Sequence, residues 1–456
     1  MAPRTPHRPT RPLGPTFWRI WSAQTVSTLG SAVAGIGVAV HVFLASGNAL
    51  WLGLLGAAAG LPFVVLAPLL GSIDRFDRRM VMIVGDSIAA LGTLAALAFA
   101  LAGRLEVWHL VIAAIVGGVG TAIQVPASQA VVPALVDHDQ LDRANGFAQI
   151  GPAGGLVAAP VIATVLVSQW GITAVLILDA ATFAVAVIVT ALTPLRTDDR
   201  ARSADETTRD DADVAGWAPV VAWMRSSGRG VAVLLVLMAT VNLCLGFFNV
   251  ALVAVVATID VALAGLPLAV GGLSMLGVGL VVGRRGLSDR RMPAVTLGVS
   301  MLAVGCALCG LRPSLVLVAL GTAIALAGVP ILSAASTTML HEAVPSGMHA
   351  RMFAVRGGIS RALDPIGSVV AGVLISVLAE PAMSPGGSLG GSIGRLLSTG
   401  DGRGAALVLI LVAPALGLVA WAAGSSASLR RLDAPVSAGT GREAGPVPTE
   451  RVGSVS

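Results

Sequence analysis

Three carboxylic acids stand within long apolar stretches of this sequence: Asp86 in "VMIVGDSIAALG", Asp179 in "LILDAATF" and Asp364 in "RALDPIG". A charge at the centre of a bilayer costs roughly 2.5–3.5 kcal/mol on insertion scales, so such a group must be paired, hydrated or protonated. A carboxyl that alternates between those states can carry a proton, and that is the first chemistry these positions offer. The second is structural: an acid that ties two helices together by hydrogen bonds. Asp179 lies deepest, about eight residues from the outer end of its helix, and is the leading candidate for proton coupling. Asp86 and Asp364 sit nearer the opposite membrane face, where loop arginines or Arg361 can pair with them.

Charge of another kind is gathered into a tetrapeptide that occurs twice. "DRRM" spans 77–80 and again 289–292, each time between two apolar stretches. Arginines in short loops hold those loops on the cytoplasmic side. An acid at a helix start is stabilised by the helix macrodipole.

The elements that must position these groups follow from composition. Of 456 residues, 55% are hydrophobic and only 12% charged, against roughly 25% charged in a soluble domain. No Asp, Glu, Lys or Arg occurs in 20–73 or in 144–178. A bilayer core needs about 20 apolar residues per helix, so 20–73 alone holds two spans. The chain is predicted to be an all-α integral membrane protein whose first partner is the lipid bilayer. Its net charge of +5 comes from arginine, with no lysine. In a soluble protein that balance would point to nucleic acid. Here the arginines sit in short loops, and no nucleic-acid partner is expected.

Dividing the apolar runs at charges, Pro and Gly predicts twelve transmembrane helices, at about 17–43, 50–72, 80–102, 107–131, 143–168, 171–193, 231–256, 264–283, 292–311, 314–336, 353–379 and 404–424. With the N-terminus in the cytoplasm, only Arg104, Arg312, Arg395 and Arg403 of the 29 arginines fall in external loops, the asymmetry of the positive-inside rule. The polar segment "PLRTDDRARSADETTRDDAD" divides six helices from six. The expected organisation is a cytoplasmic segment 1–16, a six-helix half 17–193, a cytoplasmic linker 194–229, a second half 230–424 and a disordered cytoplasmic tail 425–456. Arg4, Arg8, Arg11 and Arg19 precede the first span, which reads as an uncleaved anchor. The two DRRM copies then occupy the equivalent joints, between helices 2 and 3 and between helices 8 and 9. Such internal duplication is characteristic of secondary transporters.

Several other chemistries are disfavoured. Cys244, Cys306 and Cys309 lie inside apolar runs with no completing ligand set, so neither a disulfide framework nor a metal site is expected. The linker acids read as a solvated, unfolded segment rather than a metal cluster. The glycines of 384–404 precede no Lys-Ser/Thr pair and make no phosphate cradle. The histidines are scattered over different joints, leaving a membrane enzyme acting on lipid-linked substrates as a remote alternative. No cofactor is called for.

The first joint, "GSIDRFDRRM", resembles the signature loop of the major facilitator superfamily, with Asp74, Arg75, Arg78 and Arg79 in matching positions. Gly71 stands three residues before Asp74, where that family has four. "GFAQIGPAGG" in helix 5 is similar to the antiporter motif of the same superfamily, through Gly151, Pro152, Gly154 and Gly155, with one residue fewer between its two parts. "VPASQAVVPALVDHDQLDRANGF" and "FWRIWSAQTVSTLGSAV" resemble the bacterial drug and siderophore exporters of the macrolide-efflux and enterobactin-exporter branch. An arginine within helix 4, used by many proton-coupled members, has no counterpart in "VIAAIVGGVGTAIQVP".

The resemblance implies two pseudo-symmetric six-helix halves rocking about a central site, in a monomer of the bacterial cell membrane with both termini cytoplasmic. It implies that Asp74, Arg75, Arg78 and Arg79, with Arg290 and Arg291 at the degenerate second joint, act as a latch between conformations. It also implies that helices 1, 4, 7 and 10 line the cavity. Their polar side chains are Gln24, Ser27 and Ser31; Gln124; Asn242 and Asn249; and Ser333, Ser336 and Thr337, with Phe247 and Phe248 adding aromatic surface. A lining of this kind suits a small amphipathic organic compound better than a sugar, phosphate or inorganic ion. The implied activity is export of such a compound, drug, siderophore or peptide-like, by proton antiport. Import of a nutrient or peptide on the same fold is the alternative.

Overall fold

In the computed structural model, residues 13–73, 76–136, 140, 144, 147–148, 150–194, 223–226, 228–260, 263–287, 291–345 and 349–433 are described. Asp74, Arg75 and Arg290, and nearly all of the linker and tail, lie outside them. Among the described residues the regular structure is helical. That outcome is forced by the solvent: hydrocarbon offers no partner to a backbone N–H or C=O, so an apolar run must satisfy its own.

The first half contains α1 (Pro15–Ser46), α2 (Ala49–Ile73), α3 (Arg78–Leu101) and α4 (Val107–Leu135), followed by one 43-residue helical stretch, Ile150–Leu192. Local sequence sets these ends. Pro15 occupies the first turn of α1, where its missing N–H costs nothing. Gly47 closes α1 in the left-handed conformation, its N–H donating to Phe43 O at 2.8 Å. Asp77 caps α3 by accepting from the Arg79 amide. Glu106 and His109 form a reciprocal capping box on α4.

The long stretch cannot be one span. Its 43 residues would reach about 65 Å at 1.5 Å per residue, twice the hydrocarbon thickness. It reverses at Gly171, where φ is 72° and ψ is −175°, a conformation open to glycine alone. Packing confirms the reversal: a Cβ on Gly37 of α1 would meet Val175 Cγ1 at 2.9 Å and Val167 Cγ2 at 3.5 Å. Residues eight apart on a straight helix would be about 12 Å apart along its axis. The two arms are α5 (150–170) and α6 (172–192).

The second half contains α7 (Arg229–Ile259), α8 (Gly265–Arg285), α9 (Met292–Leu311), α10 (Leu315–Ala343), α11 (His349–Val373, prolonged through a π-helical turn, Leu374–Ala379, to Met383), α12 (Arg403–Ser425) and the short α13 (Ala427–Leu432). Eleven described helices are long and apolar enough to cross a membrane, and one of them carries two crossings, so the twelve expected spans are present. Within the segment expected to be tail, α13 is helical, and Asp433 beyond it accepts the amides of Arg291 and Met292 at the start of α9.

The two halves repeat one packing scheme. α3 lies on α4 as α9 lies on α10. A Cβ on Gly85 would be 2.8 Å from Gly120 O, and a Cβ on Gly298 would be 2.8 Å from Gly328 O, so both joints depend on direct backbone approach. Between the halves, α2 runs along α11 and α5 along α8. The Leu50 amide donates to Ser376 Oγ at 2.9 Å, and a Cβ on Gly272 would meet Leu156 C at 2.7 Å. Phe43, Ala49 and Leu52 are buried in the core of the second half. The contacts of Phe43, Ala49, Leu50 and Leu52 join the halves at the end of the bundle that carries the α1–α2 turn, and the α5–α8 contact joins them nearer mid-helix.

Candidate functional site

A seam between α1 and α3 carries two polar rungs. On the deeper rung, Asp179 of α6 accepts from Thr93 Oγ1 at 2.6 Å and from Ser31 Oγ at 3.2 Å, and the residue is 4% exposed. On the other, Asp86 accepts from Gln24 Nε2 at 3.0 Å, and Gln24 Oε1 in turn accepts from Gln124 of α4. Gln24 and Ser31 are seven residues apart on α1, as are Asp86 and Thr93 on α3, so both pairs return to the same helix face about 10 Å further along. Small residues bring α1 against α6, where Asp179 stands: a Cβ on Gly30 would lie 2.9 Å from Thr182 Cβ. Neutral donors hold both acids, and no arginine is bonded to either among the described residues. Hydroxyl and amide donors stabilise a carboxylate without neutralising its charge.

Each rung borders open space. Ser31, Thr93 and Asp179 line a cavity of about 280 Å³ among α1, α2, α3, α4 and α6, otherwise largely apolar. Gln24 and Gln124 line a second cavity of about 270 Å³ beside Trp21, Thr28, Gly151 and Pro152. Gly151, Gly154 and Gly155 face Thr25, Leu29 and Ala32 of α1, so the glycine motif of α5 packs on the helix that bears both rungs.

Asp364 is held differently, by Asn249 Nδ2 of α7 at 3.3 Å. Asn242 donates to Met238 O of its own helix. Phe248 is buried in the core and Phe247 packs against it, so the aromatic surface expected of α7 serves the protein interior. Ser27 is buried as well. Ser333, Ser336 and Thr337 are brought together by a residue that sequence reasoning passed over, Arg356 of α11, whose guanidinium donates to all three. Thr93 was missed too; its seven-residue offset from Asp86 was the available signal.

At the joints, Arg79 donates to Thr190 O at 3.1 Å and to Ala191 O, closing the C-terminus of α6 in its own half. Arg291 bridges to Glu342 at 3.5 Å. Arg403, counted from the sequence as an external loop residue, is 4% exposed and donates to Gly310 O at 3.0 Å at the end of α9. Among the described residues no group of three or more His, Cys, Asp or Glu side chains could hold a metal ion.

The sequence profile of the Major Facilitator Superfamily matches residues 20–368. The chain belongs to that superfamily. Macrolide efflux protein A of Streptococcus pyogenes is 26% identical over 378 residues, covering 78% of this chain and 88% of the relative. Macrolide efflux protein A of Enterococcus faecalis is 26% identical over 328 residues, covering 67% and 95%. Among solved structures, the nucleoside transporter NupG superimposes with a TM-score of 0.65 at 13% identity, covering 90% of this chain and 98% of that one. A bacterial homologue of the iron transporter ferroportin in its inward-facing state gives 0.65 at 12% identity, covering 91% and 100%. A D-xylose-proton symporter gives 0.59 at 15% identity, covering 87% and 97%. At such identities these structures establish the major facilitator fold and nothing about cargo. The protein is a multi-pass membrane transporter of small molecules and not an enzyme.

Proposed function

We propose that this transporter exports a small amphipathic organic compound across a bacterial cell membrane by proton antiport, working as a monomer with both termini in the cytoplasm. The observation that carries this reading is Asp179, a buried acid held only by hydroxyls of two neighbouring helices at the wall of a 280 Å³ cavity. Protonation removes the charge that Ser31 and Thr93 serve, and so changes what binds α6 to α1 and α3. With the termini inside, the α1–α2 turn is external, and the contacts that Phe43, Ala49, Leu50 and Leu52 make with the second half lie on that side, an arrangement that supports an inward-facing state. The efflux relatives and the glycine-proline motif on α5 support the outward direction. Their named cargo does not transfer at 26% identity. Arg78 and Arg79, with Asp74, Arg75, Arg290 and Arg291, are proposed to hold the cytoplasmic joints through the cycle, Arg79 through the end of α6.

Everted vesicles carrying an imposed proton gradient test this directly. Amphipathic fluorescent compounds should accumulate, accumulation should collapse with the gradient, and Asp179→Asn should reduce it at least about tenfold, the rate equivalent of 1.4 kcal/mol. Gradient-independent accumulation, or an Asp179→Asn protein that transports normally, would sink the antiport reading. Uptake by intact cells instead of everted vesicles would reverse its direction.

A further inference from the structure

Arg356 stands seven residues into α11 and has no carboxylate partner among the described residues. Its surroundings are neutral: Nη1 donates to Thr337 Oγ1, while Nη2 lies 3.4 Å from Ser336 Oγ and 3.5 Å from Ser333 Oγ. Both Nη2 separations exceed the ordinary hydrogen-bond length of about 2.9 Å, so this nitrogen is only loosely engaged. Ser336 and Thr337 commit their own protons to Ser333 O, at 3.1 Å and 2.6 Å. Ser333 Oγ, on an exposed residue, donates to no acceptor among the described residues. A planar cationic fork and a free hydroxyl donor are therefore presented side by side.

They open on a cavity of about 160 Å³ between α7, α9, α10 and α11, whose other walls include Val241, Leu302 and Leu332. Asn242 adds one polar group across from the arginine. Drug-sized pockets run from about 300 Å³ upward, so this space takes a charged head and a short apolar arm rather than a whole substrate. Three hydroxyls cannot neutralise a guanidinium in a low-dielectric wall, whereas a carboxylate can, and its two oxygens match the fork.

We propose that Arg356 and Ser333 form a carboxylate-binding subsite on the transport path in the second half, separate from the cavity that Asp179 borders, so that the preferred cargo is an amphipathic organic anion rather than a neutral or cationic compound. This rests on the transport reading but not on its direction or its coupling ion.

The test uses the purified full chain in detergent micelles and three probes on one scaffold: 1-naphthylacetate, 1-naphthylacetamide and 1-naphthylethylamine. Binding is followed by tryptophan quenching and by the shift in Tm. The carboxylate should bind at least tenfold tighter than the amide, and the amine weakest. R356Q should bring acid and amide to within about twofold of each other with the elution volume unchanged, and R356K should keep part of the preference, with a point charge in place of the fork. Equal binding of acid and amide, no carboxylate binding at millimolar concentration, or an unchanged preference in R356Q would each overturn the proposal. Gradient-driven transport of a neutral compound alongside any of these results would leave the export reading standing, so the two failures are distinguishable.

Discussion

Gly171 offers a test in which backbone conformation is isolated from packing. A Cβ built there meets nothing within 4 Å, so Gly171→Ala causes no steric conflict. Its φ of 72° with ψ of −175° nevertheless lies in a region essentially reserved for glycine. Forcing a residue with a Cβ into such a region costs of order 1–3 kcal/mol. Gly35 is the matched control: a Cβ there also meets nothing within 4 Å, but the residue sits in regular α1 helix. Gly35→Ala should be neutral or stabilising by up to about 1 kcal/mol, from helix propensity alone. The two single-methyl additions should therefore move stability in opposite directions, with a separation of at least about 1 kcal/mol. The assay is unfolding of the purified protein in mixed micelles with rising dodecyl sulfate, followed by fluorescence of the eight tryptophans. Because the reversal at Gly171 delivers Asp179 to Ser31 and Thr93, Gly171→Ala should also lower transport in everted vesicles. Shifts that agree within about 0.5 kcal/mol, the usual scatter of benign substitutions, would refute the argument that the α5–α6 reversal depends on glycine geometry.

Other outcomes follow from close approaches and caps. Gly120→Ala should destabilise by about 1–3 kcal/mol or prevent folding, since its Cβ would lie 2.6 Å from Ala89 N and overpacking costs that much. Gly117→Ala on the same helix, facing open space, should be tolerated, and parallel dodecyl sulfate titrations compare the two. Asp433→Ala should cost about 1 kcal/mol by uncapping α9, with Asp433→Asn recovering much of the loss in the same titration.

Much of the fold is legible in the sequence because the bilayer reduces the problem to one dimension. The charge-free run 20–73 must hold two spans, and the two DRRM copies mark matching joints, as α3 and α9 beginning beside them bear out. The site is legible only in part. Asp86 and Asp179 stand out as acids in apolar text, but the same rule hides their partners, since Gln24, Ser31 and Thr93 are ordinary neutral residues of membrane helices. Arg356 and Arg403 were absorbed into the arithmetic of the positive-inside rule, which counts arginines at helix ends without asking which way they turn.

The sequence by itself determined that the chain lives in a membrane, that it crosses twelve times, and that its halves are copies of one plan. Those properties depend on the length and charge of consecutive runs. Tertiary structure alone decided that Thr93 meets Asp179, that Arg79 closes α6, that Phe248 is core, and that Arg356 faces hydroxyls. A helix apolar on every side carries no stripe to declare which face turns inward. Its rotation is set by where a glycine lets a neighbouring backbone come close, and that depends on two helices at once.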